Sequence, residues 1–193
     1  MSEAEYKMSS VAEENIGIDN VTKRDGTLAP FDSTKIYNAI NKAGSTTKEF
    51  GEEEKFFAMG GDFSNPVDNA PGIYSLEDKE GAVATLHISE DLIPQVSEAA
   101  SFIQAMNANT FTSAAFRLAD PATAETFAAS LKESITATQW MCGIPEKLVM
   151  YTINGGEYVV YAVGAADLLD NFSAKLVAAY GEAAVETVNE AIA

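Results

Sequence analysis

Short β-rich runs separated by turn residues give the clearest pattern in this chain, and they lie in its C-terminal half. Leu148–Ile153 and Glu157–Val163 flank Asn154-Gly155-Gly156. Asn-Gly pairs accept the positive φ angles of tight hairpin turns. The pattern therefore predicts an antiparallel hairpin. Thr110–Leu118 alternates and is rich in threonine and phenylalanine, which predicts another strand of the same sheet.

Helical spacing appears between these strands. A helix is predicted over residues 122–139, because Asp120 is a capping acid and Pro121 suits the first helical position. Its apolar stripe follows i, i+4 spacing: Phe127, Leu131 and Ile135. We expect this stripe to be buried against the sheet.

Four further elements are predicted from weaker patterns. Val83–Ile88 predicts a strand, and residues 56–59 predict a short docking helix. Apolar residues recur at helical spacing from Leu92 to Ile103, which predicts another helix. Asp167 is expected to cap a last long helix that is interrupted at Gly181. The apolar pattern then resumes at helical spacing: Val185, Val188 and Ile192.

The N-terminal part predicts a separate local unit. Val21–Lys23 and Leu28–Phe31 are expected to form a hairpin around Asp25-Gly26. Asp32 is then placed to cap a helix that ends at Gly44. The predicted organisation is an acidic flexible lead-in, a hairpin-helix, a connector and an α+β domain: residues 1–20, 21–44, 45–72 and 73–193. The predicted fold class is α+β, a small mixed sheet of three to four strands with helices on one face.

Charge is divided unevenly along the chain. The net charge is −17, yet residues 21–48 carry a net charge of +3. Such an acidic surface repels nucleic acid and anionic membranes. Neither is therefore an expected partner of the main domain. No apolar run reaches membrane-spanning length, and the first 20 residues are too polar for a signal peptide. We therefore expect a cytoplasmic protein, or an exported or cell-surface one if this is a trimmed form.

Residues able to support catalysis are few. His87 is the single histidine, and Cys142 is the single cysteine. Neither lies in a nucleophile motif, and no phosphate-binding glycine loop is present. No catalytic residue, metal site or resident cofactor is predicted, and we expect a protein that is not an enzyme. Tyr151, Tyr161 and Trp140 are candidates for a partner-binding surface.

The basic segment carries a family motif. Lys23, Arg24 and Gly26 match a K-R-x-G block, and Phe31, Asp32 and Lys35 match F-D-x-x-K. With this block, residues 21–44 resemble the opening of an ATP-cone, the nucleotide-sensing module of ribonucleotide reductases and their repressor. The resemblance implies that three basic residues bind the triphosphate of ATP or dATP: Lys23, Arg24 and Lys35. After Gly44 the sequence leaves the family pattern.

A second resemblance covers residues 73–180. The segments Ala114-Ala115-Phe116-Arg117 and Gly156-Glu157-Tyr158-Val159-Val160 match an A-x-F strand and a G-x-Y-V hairpin strand. This stretch resembles an uncharacterised domain of clostridial-type surface lipoproteins, which implies a fold without an activity.

Two functions follow from these observations. The first is a non-enzymatic α+β domain that binds an unknown protein or small ligand. The alternative is a regulatory protein that senses ATP or dATP through its N-terminal segment.

Overall fold

A computed structural model describes residues 20–22, 28–30, 58–108, 110–141 and 143–192. The chain divides into two units, Met1–Ser33 and Thr34–Ala193. In the first unit, β1 (Asn20–Thr22) pairs with β2 (Leu28–Pro30) in antiparallel register. Val21 lies opposite Ala29, which confirms the predicted N-terminal hairpin at these residues. The helix predicted from Asp32 to Gly44 lies outside the described residues.

The second unit is built on an eight-stranded sheet with three described α-helices. Its elements are β3 (Ala58–Gly60), β4 (Val67–Asp68), β5 (Gly72–Tyr74), α1 (Lys79–Leu86), β6 (Val96–Gln104), β7 (Phe111–Leu118), α2 (Ala124–Ala137), β8 (Lys147–Ile153), β9 (Tyr158–Gly164), α3 (Ala166–Tyr180) and β10 (Ala184–Ala191). The strand order is β10-β8-β9-β7-β6-β3-β4, and β5 also pairs with β6. Each of these pairings is antiparallel, so the predicted mixed sheet of three to four strands is wrong.

Helices cover both faces of the sheet, which corrects the expectation of helices on one face. Phe116 of β7 contacts Phe127 of α2 with ring centroids 5.7 Å apart. Phe111 contacts Phe172 of α3 with ring centroids 6.1 Å apart. Phe111 and Phe116 are five residues apart on one strand, so they project to opposite faces. We call the Phe116 side the first face and the Phe111 side the second face. Because both faces are covered, every residue of β7 and β9 is buried.

The most strongly patterned elements form as predicted. The stripe Phe127, Leu131 and Ile135 of α2 is buried in the core. The Asp120 carboxylate accepts a hydrogen bond from the backbone N–H of Ala122 at 2.9 Å, ahead of that helix. Strands β8 and β9 form the predicted hairpin, and the turn has positive φ at Gly155.

Two predicted helices are strands, and a β-bulge explains each error. In β6 the register shifts between Val96 and Glu98, and in β10 it shifts between Glu186 and Val188. A bulge inserts one residue, so side chains three apart then lie on one face. Apolar side chains on the first face therefore recur at i, i+3, as in a helix: Val96 with Ala99, and Val185 with Val188.

Three other local predictions are also wrong. Residues 83–86 belong to α1, where the Asp78 carboxylate accepts the N–H of Gly81 at 3.0 Å and caps the helix. Residues 58–60 form β3 rather than the end of a docking helix. Helix α3 begins at Ala166, and its N–H is capped by the carboxylate of Glu146 at 2.9 Å instead of by Asp167.

Glycine is required where the predicted connector joins the sheet. A Cβ on Gly60 would lie 2.2 Å from the backbone nitrogen of Gly72, and one on Gly72 would lie 2.4 Å from that of Gly61. Strands β3 and β5 pair with successive parts of β6. The backbones thus meet where a side chain does not fit. Residues 58–60, 67–68 and 72–74 are strands of the sheet.

Candidate functional site

The N-terminal hairpin places the basic motif in the connection between its strands. Strand β1 ends at Thr22 and β2 begins at Leu28, so Lys23 and Arg24 belong to the intervening segment. Lys23, Arg24 and Lys35 themselves lie outside the described residues. Basic side chains in such a segment can donate charge-assisted hydrogen bonds to phosphate oxygens.

The residues predicted to form a partner-binding surface are dispersed. Tyr151 is buried on the second face, where its hydroxyl donates to Glu186 Oε2 at 2.7 Å. Burial raises the pKa of this tyrosine to about 12. Tyr161 is buried on the first face and donates to the Leu86 carbonyl at 2.7 Å. Trp140 is half-buried, so of these three residues it alone retains exposed surface.

A charged cluster is buried on the second face. Arg117 is 5% exposed and lies between two carboxylates, at 3.5 Å from Glu98 Oε1 and 3.5 Å from Glu157 Oε1. Glu98 and Tyr158 are its direct cross-strand neighbours on β6 and β9. The guanidinium thus links β7 to β6 through Glu98, and to the residue before β9 through Glu157.

The electrostatics of this cluster favour a structural role. Burial raises the pKa of Glu157, and the charge of Arg117 opposes that rise. Burial also raises the pKa of Tyr158. The guanidinium lies between two carboxylates and Arg117 is 5% exposed, so its charge is balanced within the fold and is largely screened from a ligand in solution.

His87 positions a loop. Its ring lies 4.4 Å from the Trp140 ring, centroid to centroid, and burial lowers the pKa of His87 to about 4. The Thr138 hydroxyl is 3.5 Å from His87 Nδ1. The neutral imidazole therefore holds the connection between α2 and β8 against the end of α1.

Described residues of the sheet unit line a groove and a smaller cavity. A groove of about 660 Å³ lies between α2 and the β8–β10 side of the first face, lined by alanine, glycine and threonine with Lys132 and Glu125. A smaller cavity of about 190 Å³ lies where the β6–β7 and α2–β8 connections meet. The described residues contain no group of three or more His, Cys, Asp or Glu side chains placed to hold a metal ion.

Comparison with known families supports the first resemblance. A family model, the ATP cone domain, matches residues 19–56. The matched stretch contains the described hairpin and continues beyond Gly44, where the sequence pattern alone was expected to end. No curated protein and no solved structure matches the chain. The resemblance of residues 73–180 to a lipoprotein domain gains no support from these comparisons. Among the described helices, none is both long and apolar enough to cross a membrane.

Sequence reasoning missed two features of the sheet unit. No role was predicted for Arg117, although a lone arginine in an apolar strand indicates a buried ion pair. The exposed Met106 and Ile144 were also missed. The signal for them is the absence of charge in the sequence on either side of each, from 99 to 116 and from 134 to 145.

Proposed function

We propose that this protein is a nucleotide-responsive regulator in which residues 19–56 bind ATP or dATP. The single observation that carries the proposal is the ATP cone family match over these residues. The paired strands β1 and β2 support it, because they bring the ends of the Lys23-Arg24 segment together. Lys23, Arg24 and Lys35 supply the positive charge for the triphosphate in this proposal.

The sheet unit is the non-enzymatic, partner-binding part of the protein in this proposal. Three of its buried ionisable groups support that assignment, because each contacts another element of the fold. The Tyr161 hydroxyl bonds to α1, the Tyr151 hydroxyl bonds to β10, and Arg117 pairs with Glu98 of β6 and with the residue before β9. These contacts engage the three groups within the fold, so regulation is expected to act through the surface.

Fluorescence anisotropy of a mant-ATP probe with the full chain and Mg²⁺ tests nucleotide binding. We expect saturable binding that ATP and dATP displace. Lys23→Ala/Arg24→Ala should weaken binding by at least about tenfold, or about 1.4 kcal/mol.

A matched control removes the same number of positive charges from the sheet unit. Lys79→Ala/Lys175→Ala should leave the probe affinity within about twofold. Equal losses in both variants would mean that only the overall charge matters, and this would contradict a site at the hairpin. Displacement by ATP and GTP alike would contradict adenine-nucleotide sensing.

A further inference from the structure

Two uncharged stretches of the sheet unit include surface loops, although 21% of the chain is charged. Residues 99–116 include the connection from β6 to β7, and residues 134–145 include the connection from α2 to β8 except its last residue, Glu146. The loops within these stretches are residues 105–110 and 138–145. Uncharged loops are unusual in an acidic protein, since loops are normally its most solvated part.

The fold places these two connections side by side. Asn107 and Thr110 from the first connection line the same small cavity as Gly143 and Ile144 from the second. Backbone hydrogen bonds join the neighbouring segments: Ala165 N–H donates to the Thr110 carbonyl at 2.9 Å, and Glu146 N–H donates to the Gly164 carbonyl at 3.0 Å. The two loops therefore form one surface at this end of the sheet.

Three large apolar side chains are exposed on this surface, which we call the methionine surface. Met106 is 83% exposed, Met141 is 96% exposed and Ile144 is 65% exposed. Depletion of charge together with enrichment in methionine is typical of the centre of a protein interface. Methionine is unbranched and polarisable, so it adapts to apolar partners of different shape.

Both loops are held in place by interactions with the body of the domain. The Gln104 side chain accepts the backbone N–H of Met106 at 2.7 Å and also that of Asn107, which fixes the first turn. In the second loop Trp140 packs against His87, next to Met141. The apolar side chains are therefore presented by anchored loops, which lowers the entropy lost on binding.

The border of the methionine surface is acidic. Glu146 is exposed and lines the small cavity, and Asp167 is exposed two residues after Ala165, which lines the same cavity. Lys147 is paired with Asp170 on α3. The whole chain carries a net charge of −17. A second copy would bring the same carboxylates to the border, so self-association is opposed by like charge. A partner with apolar residues at its centre and basic residues at its border is complementary.

We propose that the methionine surface binds a cationic amphipathic helix of a partner protein. The apolar stripe of the helix packs on Met106, Met141 and Ile144, and its lysine or arginine residues face Glu146 and Asp167. This interaction does not require nucleotide binding, since none of these residues belongs to the ATP cone match.

The test uses the full chain and a fluorescein-labelled model peptide of leucine and lysine, about four helical turns long, with leucine at helical spacing. Anisotropy is measured at about 0.15 M salt, where long-range attraction to the acidic protein is screened. We expect saturable binding. A peptide with glutamate in place of lysine should bind at least about tenfold more weakly.

Two variants of matched chemistry locate the site. Met141→Ser/Ile144→Ser should weaken the lysine peptide at least about tenfold. Phe63→Ser removes a side chain that is 88% exposed on the β3–β4 connection, and it should change binding less than about twofold. Both variants alter exposed residues, so their urea midpoints should match the wild type.

Three results would overturn the proposal. Equal peptide affinity in the wild type and Met141→Ser/Ile144→Ser would place binding elsewhere. Equal affinity for the lysine and glutamate peptides would remove the charge argument. A stable dimer in light scattering that Met141→Ser/Ile144→Ser dissociates would make a second copy the occupant.

Discussion

Replacing Arg117 with methionine tests the buried ion cluster. The substitution keeps an unbranched side chain in the cavity and removes the cation between Glu98 and Glu157. At 3.5 Å, one charge pair is worth about 5 kcal/mol at an effective dielectric constant of about 20. The side chain of Glu98 is 31% exposed, so water solvates its charge when the arginine is absent and replaces much of the energy of that ion pair. Glu157 is left buried without its cation, and we expect a loss of about 3–5 kcal/mol in unfolding free energy.

The assay is urea unfolding followed by circular dichroism at pH 7 and at pH 5. Burial already raises the pKa of Glu157, and loss of the arginine should raise it further. A carboxyl group with a raised folded pKa favours the native state at low pH and loses that contribution as pH rises. The deficit of Arg117→Met should therefore be larger at pH 7 than at pH 5.

Two further variants test whether the cost of Arg117→Met comes from leaving the Glu157 charge unpaired. Glu157→Gln removes one charge and retains Arg117 with Glu98, so it should cost less. Combining both changes should restore at least about 1 kcal/mol relative to additivity. As the matched control, Lys79→Met breaks an exposed ion pair with Glu90 at 3.7 Å and should cost no more than about 1 kcal/mol. A loss for Arg117→Met below about 1 kcal/mol at both pH values would refute the reasoning.

Two other predictions concern the core and the anchored loop. Phe127→Ala should lower the free energy of urea unfolding by about 3–5 kcal/mol, because the ring is buried against Phe116. As its control, Val177→Ala at an exposed position of α3 should lower it by less than about 1 kcal/mol. Similar losses in the two variants would contradict the assigned face of α2. Burial holds the pKa of His87 in the folded protein at about 4, below its usual 6.5. The neutral histidine therefore contributes its full share to the free energy of unfolding above pH 6.5, and up to about 3 kcal/mol of this is lost as pH falls to 4. His87→Asn tolerates the same left-handed backbone and should remove this part of the pH dependence; an unchanged pH profile would contradict it.

Local chemistry predicted the elements whose signals are contained within a few residues. The Asn154-Gly155 turn, the Asp120-Pro121 helix start and the stripe of α2 all form as expected. Each depends on backbone preferences or capping groups that act over one or two turns of chain. The hairpin β1–β2 follows from the same local chemistry.

The predictions were wrong where pairing with residues distant in sequence determines the structure or changes the local spacing. The bulges of β6 and β10 give i, i+3 spacing in a strand, and neither can be read without knowing the partner strand. In the same way, Glu146 caps α3 from 20 residues away, so Asp167 was the only visible candidate in the sequence. The burial of Tyr151 depends on α3 covering the second face, which periodicity in β8 alone does not reveal.

The match of residues 19–56 makes nucleotide binding the central claim, and calorimetry tests it most directly. ATP with Mg²⁺ is titrated into the full chain and into Lys23→Ala/Arg24→Ala. We predict a saturable heat with a micromolar Kd, or about −8 kcal/mol, in the wild type and its loss in the double variant. Absence of saturable heat in the wild type, or the same heat in both proteins, would contradict the claim.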